Sequence, residues 1–410
     1  MNIGNKGHLT YCTNIHPGES WVAVFSNLEQ YCLAIKKNIS PGKPFGIGLR
    51  LSNMSSEELL AGEHLRAFKI WLAENDLYIF TINGFPYGNF HHQSVKDNVH
   101  TPDWTTKERV DYTKRLFCIL AALLPNDMDG GISTSPISYK YWHTLSGKLE
   151  TIKKTAVENL INVVAFLVRT RHATGKKMHL DIEPEPDGIL ETIDEYIAFF
   201  EKDLLVDGAL ILAASLSCSL TDAQDHIRCH IQLCYDICHF AVEYETAGDV
   251  IKKMAKAGLR IGKIQISAAL KCRAIAISEI PQLQACLQLF DESTYLHQAV
   301  VKTTEDQLLK FRDLGPGIQA MARPGFKELR THFHVPIFTA QYRQLEATQS
   351  DIRDALQLWC IQPFTAHLEV ETYTWDVLPP ELQMGLKESI ERELLWVMQQ
   401  IEKGTSKTLV

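Results

Sequence analysis

KMHLDIE, residues 177–183, alternates without a break: His179, Asp181 and Glu183 fall on one side of an extended chain, Met178, Leu180 and Ile182 on the other. Side chains of a strand point to opposite faces with period two, so this stretch reads as a strand with one polar and one apolar face. The pattern recurs elsewhere. In CYDICH (234–239) Asp236 opposes Tyr235 and Ile237; in KIQIS (263–267) Lys263, Gln265 and Ser267 oppose Ile264 and Ile266; in HLEVE (367–371) His367, Glu369 and Glu371 oppose Leu368 and Val370. Between such strands lie longer helical stretches, the signature of a parallel sheet with crossover helices. Helices cover the outside of a closed parallel sheet and need the apolar faces, so the polar faces turn inward. The expected fold is therefore α/β, a (β/α)8 TIM barrel with an unusually polar interior.

Working outward, strands are predicted at 8–14, 45–51, 77–82, 130–134, 177–183, 233–239, 261–267 and 367–371. Helices are predicted at 55–74, 151–170, 187–204, 248–257 and 380–403, the first opening on Ser55-Ser56-Glu57-Glu58 as a capping box. A ninth β-like run, 331–338, exceeds what the barrel needs. It is assigned to an insertion between the seventh and eighth strands, about 268–366, within one barrel domain spanning 1–410. The loop 83–104 is rich in Gly, Pro, Asn and His and follows a strand, which places it at the barrel mouth.

Composition narrows the function. Of 410 residues, 45% are hydrophobic and 22% charged, the balance of a globular protein. The net charge of −8 argues against a nucleic-acid partner, which would select a basic stripe. Ten cysteines with no CxxC pair suit buried thiols in a reducing compartment better than a disulfide frame. No secretory pattern opens the chain and no apolar run reaches transmembrane length, so a cytoplasmic location without membrane insertion is expected.

Buried acids must be paired or bind a cation. Asp181 and Glu369 sit deeper along their strands and are expected to pair with Lys263, His179 or His367. Nearer the carboxyl ends lie Glu183 on the fifth strand, Asp236 and His239 as a D-x-x-H on the sixth, and Glu371 on the eighth. His332 and His334 form an H-x-H before Pro336 on the extra β-run. Carboxylate and imidazole together suit one divalent ion, Mn²⁺, Zn²⁺, Co²⁺ or Fe²⁺, and such a set leaves a position for substrate. Asn14, His16, Arg50, Asn83, Tyr87, His91, Lys263 and Gln265 are further candidates to contact hydroxyls or a phosphate, with His16 equally readable as a satisfied core histidine. Trp21 and Trp375 are candidates for a sugar-stacking face.

The order E…DxxH…HxH-x-P…E at strand ends resembles the xylose isomerase-like barrels, which include sugar epimerases and endonuclease IV. Within that group HLTYCTNIHPGESW (8–21), FPYGNFH (85–91), HLDIEPEPDG (179–188) and LEVETYTWDVLP (368–379) resemble the EboE family, whose genes lie in clusters associated with metabolite traffic, beside a cyclase for sugar-derived cyclitols and a membrane prenyltransferase. The resemblance covers essentially the whole chain and implies the barrel, the metal, a polyol-like ligand and other proteins of the Ebo cluster as partners. In the related epimerases the acids of the fifth and eighth strands bind metal and exchange the substrate proton, which implies Glu183 and Glu371 as the acid/base pair. Those enzymes carry a histidine ligand on the seventh strand; here Gln265 stands instead, and the histidine is expected from His332 or His334.

Two functions follow as expectations. One is a metal-dependent isomerase or epimerase acting on a sugar or cyclitol, in which two carboxylates on opposite faces take and return a proton. The other is a non-catalytic metabolite-binding or trafficking protein on the same barrel. Endonuclease-like hydrolysis would call for more ligands and a basic groove.

Overall fold

Period-two strands and their crossover helices are arranged, in the computed structural model, around a polar axis. The structure describes residues 1–88, 95–143, 148–274, 276–375 and 385–408, with 378, 380 and 383 between. The strands in chain order are β1 (His8–Tyr11), β2 (Phe45–Arg50), β3 (Leu77–Asn83), β4 (Gly130–Thr134), β5 (Met178–Ile182), β6 (Ile231–Asp236) and β7 (Ile261–Ile266). There follow β8 (Ala268–Arg273), β9 (Ala299–Thr303), β10 (Leu308–Phe311), β11 (Phe326–Val335), β12 (Gln341–Tyr342), β13 (Leu345–Ala347) and β14 (His367–Val370).

Eight of these form one parallel sheet in the order β1-β14-β7-β6-β5-β4-β3-β2. Registers such as Glu369 opposite Gln265 and Asp236 opposite Gln265 bring the polar residues of neighbouring strands level with one another. The last seam, β1 against β2, closes differently. One bridge joins Cys12 to Gly48, and the Thr10 hydroxyl completes the join by donating to Gly46 O (2.7 Å) and accepting from Gly48 N (3.0 Å). Gly48 is glycine for want of space: a Cβ there would lie 1.8 Å from Glu369 Oε1.

Outward-facing Leu180, Ile182, Leu233, Ile264 and Leu368 are fully shielded by helices. The longest helix, Lys148–Thr174, buries Val157, Leu160, Ile161, Val164 and Leu167 at helical spacing. Full burial of each such side chain contributes roughly 1.5–3 kcal/mol. Among the described residues no single helix is long and apolar enough to cross a membrane.

β8–β13 form a second, antiparallel sheet between β7 and β14, in the order β10-β9-β11-β8-β13-β12. β8 prolongs β7 past the barrel rim. The run expected at 331–338 is the end of β11, whose register on β8 shifts between Thr331 and His334. Bulges of this kind bend a strand and re-aim its side chains. Of the 268–366 segment, the sheet takes 268–347, and Gln349–Ile361 is the crossover helix leading to β14.

Two local expectations are corrected. The predicted helix 55–74 is two helices, Asn53–Leu60 and His64–Glu74, broken where Gly62 has φ +54°; Ser52, not Ser55, caps the first by accepting from Ser55 N. The predicted strand 233–239 stops at Asp236, because the Asp236 carboxylate caps the short helix Ile237–Val242. His239 therefore sits in a helical turn over the barrel rim.

Candidate metal centre

At the carboxyl end of the barrel the inward residues of β5, β6 and β14 meet. Glu183, Asp236 and Glu371 each offer an oxygen within 4.8 Å of the other two; Asp236, His239 and His334 form a second such trio. Donors about 2.0–2.2 Å from a shared ion lie roughly 3–4.4 Å apart, and groups within 4.8 Å of one another come close to that spacing. Glu183 Oε2, Asp236 Oδ2 and His334 Nε2 are buried without a hydrogen-bond partner among the described residues. Buried polar atoms are normally satisfied, and three orphans within these two overlapping trios fit a cation.

The surrounding contacts prepare the donors. Asp236 Oδ1 accepts from Ser267 Oγ (2.6 Å) and from His239 N (3.1 Å), leaving Oδ2 open. His334 Nδ1 lies 2.8 Å from Glu371 O and His239 Nδ1 lies 3.1 Å from Pro184 O. A carbonyl only accepts, so in the neutral His334 ring Nδ1 carries the proton and Nε2 presents its lone pair. Burial pushes His334 down to about 4 and His332 well below its ordinary range, so both are neutral at pH 7.

Glu371 is clamped by amides. Asn14 Nδ2 (2.7 Å) and Asn83 Nδ2 (2.9 Å) donate to Oε1, and Gln265 Nε2 donates to Oε2. Burial, then the neighbouring Asp236 and Glu369, raise its carboxyl to about 8 against the pull of the Gln265 amide. Burial with Glu371 and Asp236 raises Glu183 as well. Three carboxylates this close cannot all ionise unless a cation joins them.

His332 stands one step further out. Its Nδ1 donates to Gln298 Oε1 (2.9 Å), the amide being oriented by a bond from Nε2 to Pro186 O (3.0 Å). Its Nε2 then faces His239 Nε2 at 3.1 Å, and Glu185 completes a trio within 4.8 Å. Glu185, itself 2.9 Å from His100 Nε2, is absent from the sequence-based set, as is Cys238, whose thiol lies near His332 and His334. Glu185 is two residues beyond Glu183 in the same EPEPD run, a signal the strand-parity argument did not extend to.

Above these groups opens a cleft lined by Asn14, Asn83, Glu183, His239, His332 and Glu371 among others. Its aromatic wall is Phe85, Tyr295 and Tyr373. Trp21 packs on Phe25 and Phe68, and Trp375 on Phe338, away from the cleft. Several candidates for ligand contact also lie elsewhere. Lys263 is fully buried one layer down, 2.6 Å from Glu369, which holds it charged although burial opposes the charge. Gln265 lies beneath Glu371, its Oε1 accepting from Cys234 Sγ. His16 stacks on Tyr31 and bonds the Tyr11 hydroxyl (3.1 Å), the core-histidine alternative. Arg50 ties down Gly18 O and Gly88 O and pairs with Glu19; Tyr87 packs against Tyr112. His91 lies outside the described residues.

No family model matches the chain, and no curated protein matches it. Among solved structures it is similar to a xylose isomerase-like TIM barrel protein from Mycobacterium smegmatis in complex with magnesium: 11% identity, 99% of this chain and 100% of that one covered, TM-score 0.50. The fold is that of the xylose isomerase-like barrels. Further matches to this barrel are the IOLI protein with a binding zinc atom (12% identity, 98% and 99% covered, TM-score 0.45) and 3-keto-D-glucoside 4-epimerase from E. coli (13%, 63% and 79%, TM-score 0.36).

Proposed function

We propose that this xylose isomerase-like barrel is a divalent-metal-dependent isomerase or epimerase acting on a sugar or cyclitol. The observation that carries the reading is that Glu183, Asp236 and Glu371 offer oxygens within 4.8 Å of one another beside the overlapping Asp236–His239–His334 trio, with Glu183 Oε2, Asp236 Oδ2 and His334 Nε2 buried and unpartnered among the described residues. Glu183, Asp236, His334 and Glu371 would hold the ion, with His239 beside them. When bound, a divalent cation there supplies Lewis-acid polarisation of a substrate carbonyl or hydroxyl.

The chain's own residues do the rest. Glu183 and Glu371 lie just past the carboxyl ends of β5 and β14, and burial beside other carboxylates holds both above the ordinary carboxylate range, which suits them to take and return a proton. The amides of Asn14, Asn83 and Gln265 fix the Glu371 carboxylate in one orientation. Phe85, Tyr295 and Tyr373 give an apolar face on which the C–H side of a polyol ring can rest. The resemblance of the HLDIEPEPDG and LEVETYTWDVLP motifs to EboE proteins supports placing this activity in metabolite traffic.

The second reading, a metabolite-binding protein without catalysis, is favoured by Gln265, whose amide occupies a Glu371 oxygen from the seventh strand. Metal content of the purified chain, followed by incubation with candidate sugars and cyclitols in deuterated water, separates the two. Incorporation of deuterium beside a carbonyl, lost in Glu183→Gln, is expected. A metal-loaded protein that binds polyols but exchanges no proton on any of them leaves only the binding reading.

A further inference from the structure

The opposite end of the barrel holds a second group of donors that the mouth does not use. His179 of β5 and His367 of β14 are buried there, and Asp129, in the turn before β4, comes up beside them. Each of the three offers one ligand atom within 4.8 Å of the other two. Most barrels fill this volume with branched aliphatic side chains. Here two imidazole rings lie with centroids 5.2 Å apart.

The local contacts are those of a metal-ligand set. His179 Nδ1 lies 2.6 Å from Asp181 Oδ1, which commits that nitrogen and leaves Nε2 as the ring's other donor atom. A carboxylate behind a histidine is the usual support of a metal-ligating imidazole. Space for this pair is made by two glycines. A Cβ on Gly262 would lie 1.9 Å from Asp181 Oδ1 and 2.8 Å from His179 Nδ1, and one on Gly131 would lie 2.5 Å from Asp181 Oδ2.

His367 Nε2 lies 3.4 Å from Asp129 Oδ1. That is long for a charge-assisted hydrogen bond, about 2.7–2.9 Å. It matches the ~3.4 Å between two donors about 2.1 Å from a shared tetrahedral ion. The Nδ1 atom of His367 is buried with no hydrogen-bond partner among the described residues, so the ring is poorly satisfied as it stands. Asp129 is 35% exposed and gives an ion a route from solvent; Lys177 approaches its other oxygen, Oδ2, at 3.7 Å and leaves Oδ1 toward the histidines. His8 is not part of the set, since its Nδ1 bonds the Tyr78 hydroxyl at 2.8 Å.

We propose that Asp129, His179 and His367 form a divalent-cation site at the amino-terminal end of the barrel, separate from the mouth. Two imidazoles and one carboxylate select a borderline cation such as Zn²⁺ or Co²⁺ over Mg²⁺ or Ca²⁺. The ion would join β5 and β14 to the turn before β4, a structural staple at the base of the barrel.

Equilibrium dialysis of the full chain against Zn²⁺, with metal content read per chain, tests this. The mouth variant Asp236→Asn/Glu371→Gln is expected to keep one equivalent, and adding Asp129→Asn or His367→Gln to it should remove that equivalent. If the mouth variant does not fold, Asp129→Asn alone decides, since Asp129 sits in a part-exposed turn; it should bind one Zn²⁺ fewer than wild type. A folded mouth variant that binds no Zn²⁺, or an Asp129→Asn protein with unchanged stoichiometry, overturns the proposal.

Discussion

Glu369 on β14 and Glu371 just past its end are two residues apart, yet their surroundings give them different work. Glu369 Oε2 meets Lys263 Nζ at 2.6 Å with both side chains fully buried, and Ser133 Oγ is the ammonium's other partner at 3.2 Å. Removing one member of a buried pair strands the other, at a cost of about 3–5 kcal/mol. Glu369→Ala is therefore expected to lower stability by that order in urea unfolding, with Glu369→Ala/Lys263→Met recovering much of it. Glu371→Ala should instead abolish metal binding at the mouth, read by metal content, because it removes a donor of the Glu183–Asp236–Glu371 trio. Gly48→Ala belongs with the first case: its Cβ would meet Glu369 Oε1 at 1.8 Å and Tyr11 O at 2.7 Å, so a loss of about 1–3 kcal/mol or more is expected.

At the scale of elements, the D-x-x-H of residues 236–239 serves two ends. Asp236 caps Ile237–Val242 through Oδ1 while Oδ2 faces the candidate ion, and the turn it starts swings His239 over the rim. Asparagine caps about as well as aspartate, whereas alanine costs about 0.5–2 kcal/mol. Asp236→Asn should thus leave metal-free thermal stability near wild type and still weaken metal binding, while Asp236→Ala loses both. This double use explains what the sequence concealed. Parity makes the inward residues of β5, β7 and β14 readable, because neighbours two apart report on one face. It cannot say where β6 stops, since CYDICH continues its alternation into the helix. Nor does it show contacts between distant segments: His100 with Glu185, or the Tyr295 and Tyr373 walls of the cleft, are joined only by the fold. His332 and His334 were legible as an H-x-H, but their aim depends on the shift in β11 between Thr331 and His334.

For the molecule as a whole, a mouth of raised carboxyls ties stability to pH. Burial beside Asp236 and Glu369 raises the Glu371 carboxyl to about 8 in the folded chain, against about 4.3 for an ordinary glutamate, and Glu183 is raised too. Between those values the folded state holds protons that the unfolded state has released, so stability falls as pH rises. The metal-free protein should therefore lose thermal stability from about pH 5 to pH 8. Saturating Zn²⁺ or Mn²⁺ should flatten or reverse the trend, since the ion replaces the protons. A metal-free melting temperature that rises across this interval would count against the carboxylate cluster as described.

The Thr10 seam also bears on how the chain is made. β1 has its ladder partner in β14, with His8 opposite His367, while toward β2 it has one bridge and a hydroxyl. On a ribosome adding about 5–20 residues per second, β1 would wait on the order of 20–70 s before β14 emerges. Over the last part of that interval, about 5–20 s, Lys263 too lacks the glutamate that neutralises it, 106 residues further on. The barrel is thus completed in a single late event, in which ring closure and charge pairing arrive with the same strand.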